Sequence, residues 1–221
     1  MQFIHSPDPQ DGIKSLAEII ITELNNGKKV LWLIPGGSNI PITVDVMNII
    51  HQTVGPDQLS NLSITLTDER YGPKNHPDSN WKQFIDAGLN ITGIRAYPVL
   101  NDKSFPETII QYGNMTEKLI KESDIIVGQF GMGSDGHIAG ILPHTVAVSE
   151  TNPTSGYESG KFKRITLTFP VLKQIDIAYL FVSEAGKKNA IENLKKDNIS
   201  PDDQPAQILK EIKSSNVYIL S

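Results

Sequence analysis

The sequence predicts an α/β fold: a doubly wound, mainly parallel sheet with helices on both faces. Three observations carry this expectation. Apolar residues alternate along the chain between helical spacing and short continuous runs. Val30–Ile34 is a continuous apolar run and Asp124–Phe130 reads as a strand of the same kind, which suits strands buried on both faces. These runs are separated by helical patterns of roughly 10–15 residues, the mark of βαβ units.

Taken in order, Ile13, Leu16, Ile19, Ile20 and Leu24 form an amphipathic pattern from Asp11 to Asn25 that Asn26-Gly27 ends. The run Val30–Ile34 reads as a strand stopped by Pro35-Gly36-Gly37, with a helix following from Pro41 to His51. A strand is expected over Leu62–Thr67, a short helix over Ser79–Ala87, a strand over Ile94–Val99 and a helix over Phe105–Lys121. Further strands are expected over Asp124–Phe130, Ile165–Phe169, Ile177–Val182 and Val217–Leu220, with helices over Lys187–Lys195 and Ala206–Ile212. Val148–Lys161, rich in Ser, Thr, Gly and Pro, reads as a surface loop. Too little chain follows it to form an independent core, so residues 1–221 read as one α/β domain.

Composition narrows the function classes. With 221 residues the chain can bury a core without staples. It has no cysteine, which excludes disulfides, cysteine zinc sites, iron–sulfur clusters and thiol nucleophiles. The formal net charge of -5 argues against non-specific nucleic-acid binding. Met1–Gln10 carries two prolines and no apolar run, and no apolar stretch approaches the roughly 20 residues of a membrane helix. A cytoplasmic protein with no membrane partner is therefore expected.

Three strands end in segments suited to chemistry. Gly36-Gly37-Ser38 lies between a buried strand and a helix, where backbone N–H groups and a hydroxyl can cradle an anion. It is neither a Walker loop nor a G-x-G-x-x-G loop, and a glycine turn needed only for packing is an equally good reading of it alone. Asp68 and Arg70 alternate with Glu69 after an apolar strand, so Asp68 and Arg70 share one side and Glu69 takes the other. An isolated triplet of this kind is more often a strand-closing ion pair. Asp78 or Ser79 suits a helix cap just beyond it. Gly131-Met132-Gly133-Ser134-Asp135-Gly136-His137 is the most specific stretch. A glycine-framed histidine at a strand end suits general base work, with Asp135 placed to orient the ring. His5, His51, His76 and His144 lack such framing. No H-x-x-x-H or H-E-x-x-H pattern occurs, so no metal is required.

Together these segments resemble one family, the 6-phosphogluconolactonases, which are similar to the glucosamine-6-phosphate deaminases/isomerases. The matching pieces are Gly36-Gly37-Ser38 with Pro41, Thr67–Tyr71 continuing to Ser79-Asn80-Trp81, Gly131–Ala139 through Leu142-Pro143, and Arg164–Thr168. The resemblance implies the glucosamine-6-phosphate isomerase-like fold, no cofactor, and hydrolysis of 6-phosphoglucono-1,5-lactone, with a small sugar-phosphate lactone as partner. It implies catalytic roles for His137, Arg70, Asp135 and Asp68, and substrate or phosphate contacts for Gly36, Gly37, Ser38, Asn80, Arg164 and Lys187. Lys188 is the second choice for the last of these. Leu142 stands where the deaminase pattern carries a glutamate, and Arg70 where it carries a tyrosine, so both favour the lactonase. The family's Gly-Gly-Ser-Thr-Pro loop here reads Gly36-Gly37-Ser38-Asn39-Ile40-Pro41. The rival readings are a sugar-phosphate isomerase or deaminase of the same fold, and a non-catalytic sugar-phosphate binder. A monomer or weak homo-oligomer is expected. Because the substrate is an anion, the pocket is expected to be electropositive on an otherwise acidic protein.

Overall fold

The computed structural model describes residues 1–221. The chain runs through β1 (Gln2–Ser6), α1 (Gln10–Asn25), β2 (Val30–Ile34), α2 (Ile40–Thr53), α3 (Pro56–Leu59), β3 (Leu62–Leu66), β4 (Asp68–Tyr71), α4 (Asn80–Asp86), β5 (Arg95–Tyr97) and α5 (Phe105–Glu122). It continues through β6 (Ile125–Phe130), α6 (Val146–Ser149), β7 (Thr154–Ser159), β8 (Phe162–Leu167), α7 (Phe169–Leu172), β9 (Ile177–Ser183), α8 (Lys188–Leu194) and β10 (Ser214–Leu220).

Seven strands form one sheet in the order β1-β10-β9-β6-β2-β3-β5, and every neighbouring pair is parallel. Every residue of β2, β3 and β6 is buried, as expected for strands covered by helices on both faces. The buried apolar residues form one continuous cluster, with Trp32 and Phe130 among its largest members. From β2 the chain steps outward through β3 to β5. It then returns to the other side of β2 with β6 and steps outward through β9 to β10. The direction of winding therefore reverses between β2 and β6. In open α/β sheets that reversal opens a crevice at the carboxyl ends of the two strands.

Five expectations need correction. β1 was not anticipated: its residues are mostly half-exposed, since an edge strand paired on one side only to β10 needs no continuous apolar run. Val148–Lys161 is not a loop. It contains α6 and β7, and β7 pairs antiparallel with β8. β8 itself, expected within the parallel sheet, belongs to a separate three-stranded sheet ordered β4-β8-β7. The chain changes sheets at Thr67, whose N–H bonds the carbonyl of Ile34 and whose carbonyl accepts from Leu167. Ala206–Ile212 is a 3₁₀ run over Pro205–Glu211, buried from Pro205 to Leu209, so it lacks the one-sided stripe of an α-helix. The strand expected over Ile94–Val99 shortens to the three residues of β5.

Candidate active site

The cleft lies at the β2/β6 reversal and encloses about 290 Å³. β2 ends into Pro35–Asn39, where a 3₁₀ turn over Gly37–Asn39 leads directly into α2, so the helix N-terminus faces the cleft. β6 ends into Gly131–His137. The small antiparallel sheet closes a third side with Asp68 and Arg70 from β4 and Arg164 from β8. Asn80 opens α4, and Lys187 immediately precedes α8. Every site residue expected from the sequence lines the cleft except Asp135, which stands behind His137. Lys187 lines it and Lys188 does not.

His137 and Asp135 form a pair. His137 Nδ1 lies 2.6 Å from Asp135 Oδ1, and the same oxygen accepts the His137 backbone N–H at 3.1 Å. The hydrogen bond from His137 lowers the Asp135 carboxyl to about 2. Asp135 is therefore a fixed anion at neutral pH. A carboxylate only accepts, so Nδ1 carries the hydrogen and Nε2 is left free to take a proton. Gly133 is required beside this ring, because a Cβ there would lie 2.2 Å from His137 Nδ1. The turn after His137 is held in an uncommon form, with Ala139 at φ 51° and Gly140 at φ 73°. Hydroxyls of Thr166 and Tyr157 bond the carbonyls of these two residues. Tyr157 comes from the segment read as a loop, so that segment supports the site from outside.

The sign of the Asp135 shift gives a prediction. A depressed carboxyl stabilises the fold above its unfolded pKa, and that contribution disappears as pH falls through about 2. His137→Ala removes the hydrogen bond, so the Asp135 carboxyl should rise toward the ordinary value of about 3.9. Carboxyl carbon NMR titration checks this; a value still near 2 in the variant would assign the shift to another group.

Asp68 and Arg70 do lie on one side of β4, with Glu69 buried on the other. They do not pair, however. The Arg70 guanidinium donates from NH1 to Asn80 Oδ1 at 2.5 Å and to the Asp78 carbonyl at 3.3 Å. Residues two apart on a strand are separated by about 7 Å, and Asn80 occupies the space between, its Nδ2 donating to the Asp68 carbonyl at 2.9 Å. Asp68 instead stands 3.9 Å from Arg164 NH1. Arg70 and Arg164 are register partners across β4 and β8, and both guanidiniums flank the ring of Phe162, at 5.7 and 5.9 Å from its centroid. The Nε of each arginine is buried without a hydrogen-bond partner. With Lys187, the cleft thus carries three cations against the single carboxylate of Asp68.

Sequence reasoning missed three contributors. Asn39 is buried in the cleft floor, its Nδ2 reaching the Phe181 carbonyl at 3.4 Å. Its place next to Gly36-Gly37-Ser38 was the available signal. Phe162 shares a strand face with Arg164, which alternation could have flagged. Glu69 carried no sequence signal beyond its position in the triplet. Ser79 does cap α4, accepting from the Lys82 N–H at 3.2 Å. His51 and His76 bond backbone carbonyls, and His144 pairs with Asp202; none of them lines the cleft.

A parallel sheet whose reversal point holds a cationic crevice, a helix N-terminus and a histidine–carboxylate pair defines an α/β protein with a cleft suited to a small anion. The comparisons narrow this to a family. The profile of glucosamine-6-phosphate isomerases/6-phosphogluconolactonase matches residues 7–218, and the chain belongs to that family. A probable chloroplastic 6-phosphogluconolactonase 4 from Oryza sativa subsp. indica is 30% identical over 154 residues, covering 62% of this chain and 48% of the relative. The chain thus spans about half the length of that curated relative. The crystal structure of 6-phosphogluconolactonase from Thermotoga maritima superposes with a TM-score of 0.80 at 19% identity, covering 99% of both chains. A monomeric glucosamine-6-phosphate deaminase superposes with a TM-score of 0.80 at 20% identity, covering 99% of this chain and 97% of that one. Both superpositions establish the fold.

Proposed function

We propose that this protein hydrolyses 6-phospho-D-glucono-1,5-lactone to 6-phospho-D-gluconate, as a cytoplasmic enzyme of the pentose phosphate pathway that works as one domain without a cofactor. The observation that carries the reading is the Asp135–His137 pair at the mouth of a cleft with three cations. The chain's similarity to the probable 6-phosphogluconolactonase 4 of Oryza sativa supports it. So does Leu142, an apolar, half-buried residue outside the cleft lining, at the position where the deaminase pattern carries its glutamate.

The chemistry follows from the geometry. The phosphate sits against the N–H groups of Gly36, Gly37 and Ser38 at the α2 N-terminus, with Lys187 across from them. That anchor holds the lactone carbonyl near His137, where a fixed distance lowers the entropic part of the barrier. Nε2 of His137 takes a proton as water oxygen bonds C1, and Asp135 stabilises the imidazolium that forms. The carbonyl electrons move onto oxygen, and the Arg70 guanidinium faces that oxyanion. The C1–ring-oxygen bond then breaks, and the ring oxygen receives the proton held on Nε2. Asp68, Arg164 and Asn80 hold the sugar hydroxyls and the arginines in place.

Lys187→Ala tests the phosphate end. It should raise KM for the phosphorylated lactone by about tenfold or more, the loss of one charge-assisted contact. KM for unphosphorylated gluconolactone should stay within about twofold, since that substrate lacks the group concerned. Equal increases for both substrates would place the phosphate elsewhere.

A further inference from the structure

One buried carboxylate beside the cleft has no part in the chemistry above. Glu69 has no exposed surface, and both of its oxygens are fully used. Oε1 accepts the backbone N–H groups of Arg70 and Asn80, each at 2.7 Å. Oε2 accepts the Ser79 hydroxyl at 2.9 Å and the Trp81 N–H at 3.1 Å. Burial pushes the carboxyl upward, and the four donors oppose that shift. Its four partners are neutral donors, and no cation pairs with it. A buried charge costs free energy unless something offsets it, and a neutral residue would fill the same space. What the carboxylate supplies is a joint between two elements, tying the backbone of β4 at Arg70 to the first turn of α4.

That joint leads to the cleft in two steps. The first turn of α4 carries Asn80, whose Nδ2 donates to the Asp68 carbonyl and whose Oδ1 accepts from Arg70 NH1. Asn80 is also wedged against the phosphate loop: a Cβ at Gly36 would lie 2.1 Å from Asn80 Oδ1. Glu69 therefore fixes both the strand that carries Arg70 and the helix turn that carries the acceptor for its guanidinium. We propose that Glu69 is the positioning residue of the catalytic arginine, acting through the Ser79–Trp81 turn and Asn80 to aim the Arg70 guanidinium at the oxyanion. The oxyanion as target rests on the lactonase reading; the fixing of the Arg70 guanidinium does not.

Glutamine is the informative replacement. It keeps the volume but turns one acceptor oxygen into an NH₂ group facing two donors. Two measurements on Glu69→Gln separate the claims. The first is arginine-side-chain NMR of the wild type and variant, which needs no turnover. Arg70 Nη–H exchange with water should accelerate by about tenfold or more as the guanidinium loses its fixed acceptor, while Arg164, held on the other strand, changes little. The second is a double-mutant cycle with Arg70→Ala. Glu69→Gln alone should lower kcat by about tenfold, less than the ~100–1000-fold for losing the oxyanion donor itself. In the Arg70→Ala background it should cost less than about twofold, because there is no longer a guanidinium to aim. An unchanged Arg70 signal in folded Glu69→Gln, or fully additive losses in kcat, would overturn the proposal. A wild type without lactonase activity would overturn the lactonase reading and leave the NMR result to decide the positioning. Where Glu69→Gln does not fold, Ser79→Ala removes one of the four donors and should shift Arg70 exchange in the same direction by a smaller amount; no shift there would also overturn it.

Discussion

His137→Ala should lower the enzymatic hydrolysis of 6-phosphoglucono-1,5-lactone by about 100–10,000-fold, the range for losing a positioned general base. The loss belongs in kcat, because in the proposed mechanism His137 serves the reacting water and the leaving oxygen, whereas the proposed binding contacts are the loop and cations elsewhere in the cleft. Gly133 packs directly against the ring and contributes no side chain, so alanine at 137 opens space without disturbing the core. The variant should lose only the contribution of the partly exposed Asp135–His137 pair to folding. Stopped pH-stat assays, with the spontaneous rate subtracted, measure the change. Activity within a few-fold of the wild type would remove His137 from the role and leave the histidine–aspartate pair as a loop brace.

Arg70→Ala should have the next largest effect, about 100–1000-fold in kcat, as for removing one oxyanion-hole donor. Arg70→Lys should restore little of it. The guanidinium is shared among Asn80 Oδ1, the Asp78 carbonyl and the face of Phe162, and only a planar fork meets all three while keeping an edge toward the cleft. A lysine reaches one of these partners at most. Should Arg70→Ala raise KM and leave kcat intact, Arg70 is a phosphate ligand instead, and Arg164, which shares the Phe162 ring, becomes the better candidate for the oxyanion.

Much of this site could be read from the chain because its residues sit where strand periodicity breaks. Gly36–Ser38, Asp68 and Arg70, and Asp135–His137 each follow a buried apolar run, and the reversal between β2 and β6 brings the first and third together. Lys187 came from the family resemblance, and it immediately precedes α8, whose Ala190 and Ile191 face the core. The small antiparallel sheet was not legible. β7 has the sequence Thr-Ser-Gly-Tyr-Glu-Ser, whose composition suits a loop, and its role comes from pairing with β8 and from the Tyr157 hydroxyl on the Gly140 carbonyl. Those are long-range contacts that no local pattern records. The partners of the charged residues were equally hidden. Alternation placed Asp68 and Arg70 on one side of a strand, yet the contact of Arg70 is Asn80, ten positions away, and the anchor of both is the carboxylate on the opposite side.

One assay tests most directly whether the cleft catalyses lactone hydrolysis. Freshly generated 6-phosphoglucono-1,5-lactone, followed by pH-stat with and without the wild-type protein and with His137→Ala as a matched control, should show acid release well above the spontaneous rate only with the wild type. No acid release above the blank, or release unaffected by His137→Ala, would contradict the account, and ammonia release from glucosamine-6-phosphate by the same preparation would place the protein with the deaminases instead.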